Sequence, residues 1–118
     1  MPTHNQIDLV EFPAPSADGL AMTTTFFTAV FGWTFTGYGD EYSDSADSGV
    51  TSGVNASDPG ERSHMPLAVV YVDDLEAARS AVVAAGGSVV KDIYGFPGGR
   101  RFHFTEPGGN ELAIWSDK

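Results

Sequence analysis

The 118-residue chain contains no cysteine, only six basic residues, and no apolar run approaching the length of a membrane span. The first absence excludes disulfides, thiolate metal ligands, iron–sulfur centres and a cysteine nucleophile. Six basic residues against sixteen acids leave a net charge of −10, which argues against a phosphate-reading face for nucleic acid and against an anionic membrane surface. Met1 to Phe12 carries no basic leader ahead of an apolar core. A cytoplasmic domain with neither signal peptide nor membrane span is therefore expected. A Walker loop, a dinucleotide fingerprint, a nucleophile elbow and a zincin helix are also missing.

What is present suits one globular domain. Hydrophobic residues make up 42% and aromatics 12%, enough for a core and too much for general disorder. The acid is concentrated early. Residues 1–64 hold nine acids against Arg62, a balance of −8, and residues 65–118 hold seven acids against five bases, a balance of −2. Such a surplus reads first as a solvated, solubilising face. A cation-attracting rim and salt adaptation are the alternatives.

Two runs of the chain follow one plan. Ile7–Phe12 reads as a strand stopped by Pro13. Pro15, Ser16, Asp18 and Gly19 turn into a helix over Leu20–Phe31, with Leu20, Phe27, Val30 and Phe31 on one stripe and Gly32 as its stop. Trp33–Tyr38, Tyr42–Ala46 and Val50–Val54 read as three strands. After a polar linker, Pro66–Val72 is an apolar strand, and Asp73 with Glu76 spaces a capping box. Leu75, Ala78, Val82 and Ala85 give the second helix one stripe, ended by Gly86-Gly87. Ser88–Lys91, Arg101–Thr105 and Glu111–Trp115 read as the last strands. The expected organisation is a βαβββ module over 5–57, a linker over 58–65, and a second βαβββ module over 66–117.

This order, with Phe27-Thr28-Ala29-Val30-Phe31-Gly32-Trp33 and Glu106-Pro107-Gly108-Gly109-Asn110-Glu111-Leu112, resembles the vicinal oxygen chelate superfamily of glyoxalases, extradiol dioxygenases and bleomycin-resistance proteins. The family's helix end often carries a phenylalanine–tyrosine pair, here Phe26-Phe27, and its late turn starts with aspartate, here Glu106. Phe96-Pro97-Gly98-Gly99-Arg100-Arg101-Phe102-His103-Phe104 is similar to a glyoxalase-like subgroup of unassigned activity. The resemblance covers essentially the whole chain. It implies an α+β fold, two βαβββ modules forming a cupped mixed sheet around a cavity with helices outside, and association as a homodimer.

The resemblance also implies four metal ligands, histidine or glutamate, at strand positions falling near Asp8, within Val50–Val54, near Leu67 and near Ala113. Leu67 and Ala113 have no donor atom, and Val50–Val54 offers only Thr51 and Ser52. No cofactor is expected, and a divalent metal is left to a displaced set drawn from Asp8, His64, His103 and Glu111. Each has a plainer alternative: His64 as a surface residue, Glu111 as the holder of the preceding glycine turn.

Strand alternation puts Arg101, His103 and Thr105 on one face, where Arg101 and His103 can hold a ligand's carboxylate or carbonyl oxygen. The plainer outcome is that the arginines pair with nearby acids. Glu11 interrupts an apolar strand, so it must pair, be exposed, or act as a base. Phe12, Trp33, Tyr71 and Trp115 can stack on a flat ligand or fill the core. The expected function is small-molecule binding of the glyoxalase/bleomycin-resistance type with a degenerate metal site. The alternatives are a metal-dependent, glyoxalase-like lyase or isomerase, and a non-catalytic structural or partner-binding domain.

Overall fold

Both apolar strands with an acidic turn behind them fold as the pattern requires, and each opens a βαβββ module. The computed structural model describes residues 2–57 and 65–118. The first module runs β1 (Gln6–Pro13), α1 (Ala17–Phe31), β2 (Thr36–Gly37), β3 (Tyr42–Ser45) and β4 (Thr51–Asn55). The second runs β5 (Leu67–Tyr71), α2 (Leu75–Ala84), β6 (Ser88–Phe96), β7 (Gly99–Thr105) and β8 (Glu111–Ser116). The fold is α+β. The expected linker at 58–65 lies, apart from Met65, outside the described residues.

The chain divides into two compact units, one spanning Leu9–Pro66 and the other joining Leu67–Lys118 to the N-terminal residues through Asp8. In the first unit the strands lie in the order β2-β3-β4-β1. β1 and β4 run parallel, with Leu9 opposite Thr51 and Glu11 opposite Gly53, and β3 is antiparallel to both β2 and β4. The Ser16 hydroxyl caps α1 by accepting from the Gly19 amide at 3.0 Å. Gly32 ends the helix at φ 74°, a left-handed conformation glycine adopts without a Cβ penalty. The core beneath it is small: Ala14, Leu20, Val54 and Ala56, with Phe35 packed against them.

Trp33–Tyr38 does not form the full strand its β-propensity predicts; only Thr36–Gly37 pairs. Tertiary bonds take the preceding backbone elsewhere. The Thr28 hydroxyl donates to the Trp33 carbonyl at 2.7 Å, and Asp47 accepts from both the amide and the hydroxyl of Thr34. Trp33 itself stacks on Phe31, with ring centroids 4.9 Å apart.

The second unit orders its strands β5-β8-β7-β6, with β5 and β8 parallel and the other two pairings antiparallel. One face packs on α2. Val72, Leu75, Phe102 and Ile114 form its buried cluster, flanked by Val70, Ala78, Val82, Val89, Ile93 and Phe104. The cap of α2 is Asp74, which accepts from the Ala77 amide at 3.0 Å, and not Asp73. Asp73 instead meets His4 and Lys118. Glu76 turns away from the cap to hold Arg100, with contacts of 2.5 and 3.2 Å. A charge-assisted fork is stronger than the single backbone bond a capping box would give Glu76.

Strand β6 is longer than Ser88–Lys91, reaching Phe96, and its pairing with β7 is irregular between Val89 and Lys91 and again between Lys91 and Tyr94. Those irregularities re-aim side chains, as bulges do. They matter for the site.

Candidate ligand-binding site

Pairing register separates the two faces of the second unit's sheet. Phe102 pairs with Ile114 and Phe104 with Leu112, toward α2. The alternate set faces away: Arg101 opposite Trp115, His103 opposite Ala113, Thr105 opposite Glu111, with Val69 beside Ala113 and Tyr71 beside Trp115. The predicted Arg101–His103–Thr105 face therefore forms.

Arg101 and His103 are buried on it, at 8% and 6% exposure. The Arg101 guanidinium reaches His103 Nε2 from Nε at 3.3 Å and from Nη2 at 3.2 Å, and the Tyr94 hydroxyl lies 3.0 Å from the same nitrogen. On the other side of the ring, Nδ1 lies 3.1 Å from Glu111 Oε2. A guanidinium has donors only, so Nε2 accepts and carries no proton. The proton then sits on Nδ1 and is donated to the Glu111 carboxylate, which fixes ring orientation and tautomer as a carboxylate behind a histidine does. Lys91 brings a second cation to the group, its Nζ 4.5 Å above the Tyr94 ring.

Tyr94 and Lys91 are three residues apart in one strand, and a regular strand would set them on opposite faces. The two irregularities in β6 put Tyr94 against His103 and hold Lys91 over its ring. Neither residue was a sequence candidate. A bulge leaves no clear mark in composition.

Trp115 and Tyr71 flank the group. Their rings meet edge to face at 5.1 Å. Trp115 donates its indole N–H to Asp8 at 3.0 Å, and buried Tyr71 donates to Asp117 at 2.6 Å. Of the other basic residues described, Arg79 forks onto Asp92 and Arg100 onto Glu76, the pairing expected for arginines in so acidic a chain. Lys118 contacts Asp73 and Asp117.

In the first unit, Glu11 is buried at 2% exposure, which rules out the exposed option, and it accepts from Asn55 Nδ2 at 3.3 Å. Phe12 turns to α1, its ring 5.4 Å from that of Phe27, and Trp33 lies 5.3 Å from the same ring. Both serve the packing of α1. Both rings are half-buried.

The displaced metal set does not assemble among the described residues, where no three histidine, aspartate or glutamate side chains converge as ion ligands. Asp8 is taken up by the Trp115 indole, His103 and Glu111 form a pair, and His64 lies outside the described residues. Leu67 and Ala113, at the implied positions, are buried and carry no donor atom. The described donor set does not fit the family's four-ligand site.

Two βαβββ modules, the second with a polar group on the sheet face away from its helix, define a class of fold. Residues 14–114 match the family model described as Glyoxalase/Bleomycin resistance protein/Dioxygenase superfamily, and the chain belongs to that superfamily. Among solved structures it is similar to one described as an NAD-dependent benzaldehyde dehydrogenase from Legionella pneumophila, at 16% identity and TM-score 0.74, covering 93% of this chain and 98% of that one. It is similar also to the Mn(II)-bound glyoxalase from Novosphingobium aromaticivorans, at 21% identity and TM-score 0.65, covering 99% of this chain but 40% of that one. The methylmalonyl-CoA epimerase from Mycobacterium tuberculosis is a third, at 13% identity and TM-score 0.63, covering 98% and 92%. No curated protein sequence matches. Three descriptions naming three different reactions mean that the fold does not select one. No helix among the described residues is long and apolar enough to cross a membrane.

Proposed function

We propose that this protein binds a small organic molecule bearing a carboxylate or carbonyl oxygen, through the face built by Arg101, His103 and Tyr94. The observation that carries the reading is the buried Arg101–His103 pair, backed by Glu111, on a sheet face otherwise lined by Val69, Ala113 and Trp115. A few convergent polar groups on an apolar, aromatic surface is the usual make-up of a ligand site. Arg101 supplies a planar fork suited to two oxygens, and Lys91 adds positive charge nearby. Trp115 offers a half-buried ring beside them.

The arrangement also has chemical capacity. A ligand oxygen that took the Arg101 donors would leave His103 Nε2 available to accept a proton, with Glu111 stabilising the imidazolium that forms. Binding is the proposal; a reaction would be an addition to it.

Titration with benzoate and pyruvate as probes, followed by calorimetry and thermal shift, tests the reading. Saturable binding that falls at least tenfold in Arg101→Met, with little change for Arg100→Met, is the expected result. Equal affinity in wild type and Arg101→Met would overturn it. Binding that vanishes on chelation, with stoichiometric metal in the untreated protein, would support the metal-dependent lyase or isomerase instead. Absence of any binding with an unchanged melting temperature would favour a non-catalytic domain.

A further inference from the structure

Strand β6 departs from regular pairing twice, and the effect is to move one lysine. Val89 and Ile93 both pack with the buried cluster beside α2. In a regular strand Lys91, midway between them, would share their face. The pairing differs. Val89 lies opposite Phe104, on the α2 side, but Lys91 lies opposite His103 and Tyr94 opposite Arg101. The first register shift turns Lys91 out of the core face, and the second returns Ile93 to it while keeping Tyr94 out. Asp92, next along the strand, turns to the Arg79 guanidinium at 2.8 Å.

Residues directly opposed on paired strands put their side chains on one face. Lys91, His103, Tyr94 and Arg101 therefore make a square of two cross-strand pairs. The Tyr94 ring joins its two charges. Lys91 Nζ lies 4.5 Å from the ring centroid, and the Arg101 guanidinium carbon lies 6.0 Å from it. Glu111 approaches the imidazole at Nδ1, the side away from Arg101 and the Tyr94 hydroxyl.

The two cations differ in what they recognise. Arg101 is a planar fork that fits both oxygens of one carboxylate, and Lys91 is a compact charge on a flexible stem. Lys91 is half-buried, so salt screens it less than a fully exposed lysine. One carboxylate occupies one fork. A second cation on the same face matches a second anionic group, and because both cations stand at a single ring, the two groups must be joined by a short chain.

We propose that the ligand of this face is a short dicarboxylate, of the malonate or succinate class, with Arg101 holding one carboxylate and Lys91 selecting for the other. The inference rests on the reading that Arg101 binds a carboxylate, and it adds Lys91 as the specificity-determining residue.

Calorimetric titration of the full chain with matched acids tests it. Succinate and butyrate share a carbon chain and differ by one carboxylate, and inorganic phosphate supplies charge without the chain. Ionic strength is held constant, because screening changes with added salt. The wild type should bind succinate at least about tenfold tighter than butyrate, the worth of one charge-assisted contact. Lys91→Met should bring that ratio to within about twofold, and Lys91→Arg should restore it. Arg101→Met should lose both acids, whereas Arg100→Met, on the opposite face, should keep the ratio. Melting temperatures without ligand separate a loss of folding from a loss of binding. Equal wild-type affinities for succinate and butyrate would overturn the dicarboxylate and leave the Arg101 reading intact. So would a preference that survives Lys91→Met, or phosphate binding as tight as succinate with the same dependence on Lys91. If neither acid binds at all, the Arg101 reading falls and this inference falls with it.

Discussion

Helix α2 lays Leu75, Ala78 and Val82 on Phe102, Phe104 and Ile114, whereas the longer α1 fully buries only Leu20 and exposes Met22, Phe26, Val30 and Phe31. The two modules share an element order and use their helices for different ends. In the second, the helix seals one face of the sheet, and the opposite face is free to hold the polar group of Arg101, His103 and Tyr94. In the first, aromatics gather around Phe27, and the helix leaves Met22, Phe26, Val30 and Phe31 exposed. An identical element order can therefore pack its helix closely on the sheet in one repeat and leave much of it exposed in the other.

The difference in core should be largest at Phe102, which is fully buried. Phe102→Ala is expected to cost about 3–5 kcal/mol, against about 1–2 kcal/mol for Phe27→Ala on the half-buried side of α1. Urea unfolding followed at Trp115 and Trp33, one tryptophan in each unit, measures both. Equal losses would erase the contrast between the modules.

The polar group gives the next effect. Glu111→Gln removes the carboxylate that accepts the His103 proton and should destabilise by about 1–2 kcal/mol. It should also weaken any ligand bound at Arg101, which a loss of folding stability alone would not do. Parallel thermal and binding measurements on the same variant separate the two.

Capping should sharpen the comparison by showing no difference. Ser16→Ala and Asp74→Ala each delete one hydrogen bond to a first-turn amide and should each cost about 1 kcal/mol in thermal unfolding. A much larger loss at Asp74 would mean that it does more than cap.

Acid should act on the modules unequally, and least of all. Arg100 holds the Glu76 carboxyl below its usual range, Arg79 does the same for Asp92, and the Gly108 amide does so for Glu106. Carboxyls lowered in the folded state add stability above their unfolded pKa, and it is lost as pH falls through the lower folded value. In the first module Asp47 is lowered by Ser45, while burial raises Asp44. The raised group opposes folding at neutral pH, and that opposition disappears as pH falls through its folded value. Between pH 5 and pH 3, described by these directions, the second unit should lose more stability than the first, read at Trp115 and Trp33 respectively. A steeper acid loss at Trp33 would reverse the assignment.

Much of this was legible in the residues. Gly32 and Gly86-Gly87 stopped the helices where expected, and the period-two pattern of β7 correctly divided Arg101 and His103 from Phe102 and Phe104. Local signals failed where two neighbours competed for one role. Asp73 and Asp74 are equally good caps on paper, and the choice fell to Asp74 while Asp73 meets His4 and Lys118, partners remote in the chain. The same holds for Trp33–Tyr38, whose strand propensity lost to long-range bonds from Asp47.

Composition and spacing by themselves determined the element order of two βαβββ modules, the acidic balance, and the lack of donor atoms at Leu67 and Ala113. Those depend on side-chain chemistry and on periods of 3.6 and 2, which are local properties. Only the tertiary structure decided that Tyr94 joins Arg101 and His103, that Phe12 and Trp33 pack with α1, and that the apolar stripe of α1 faces outward. Register, bulges and burial are set by residues far apart in the chain, so no local pattern specifies them.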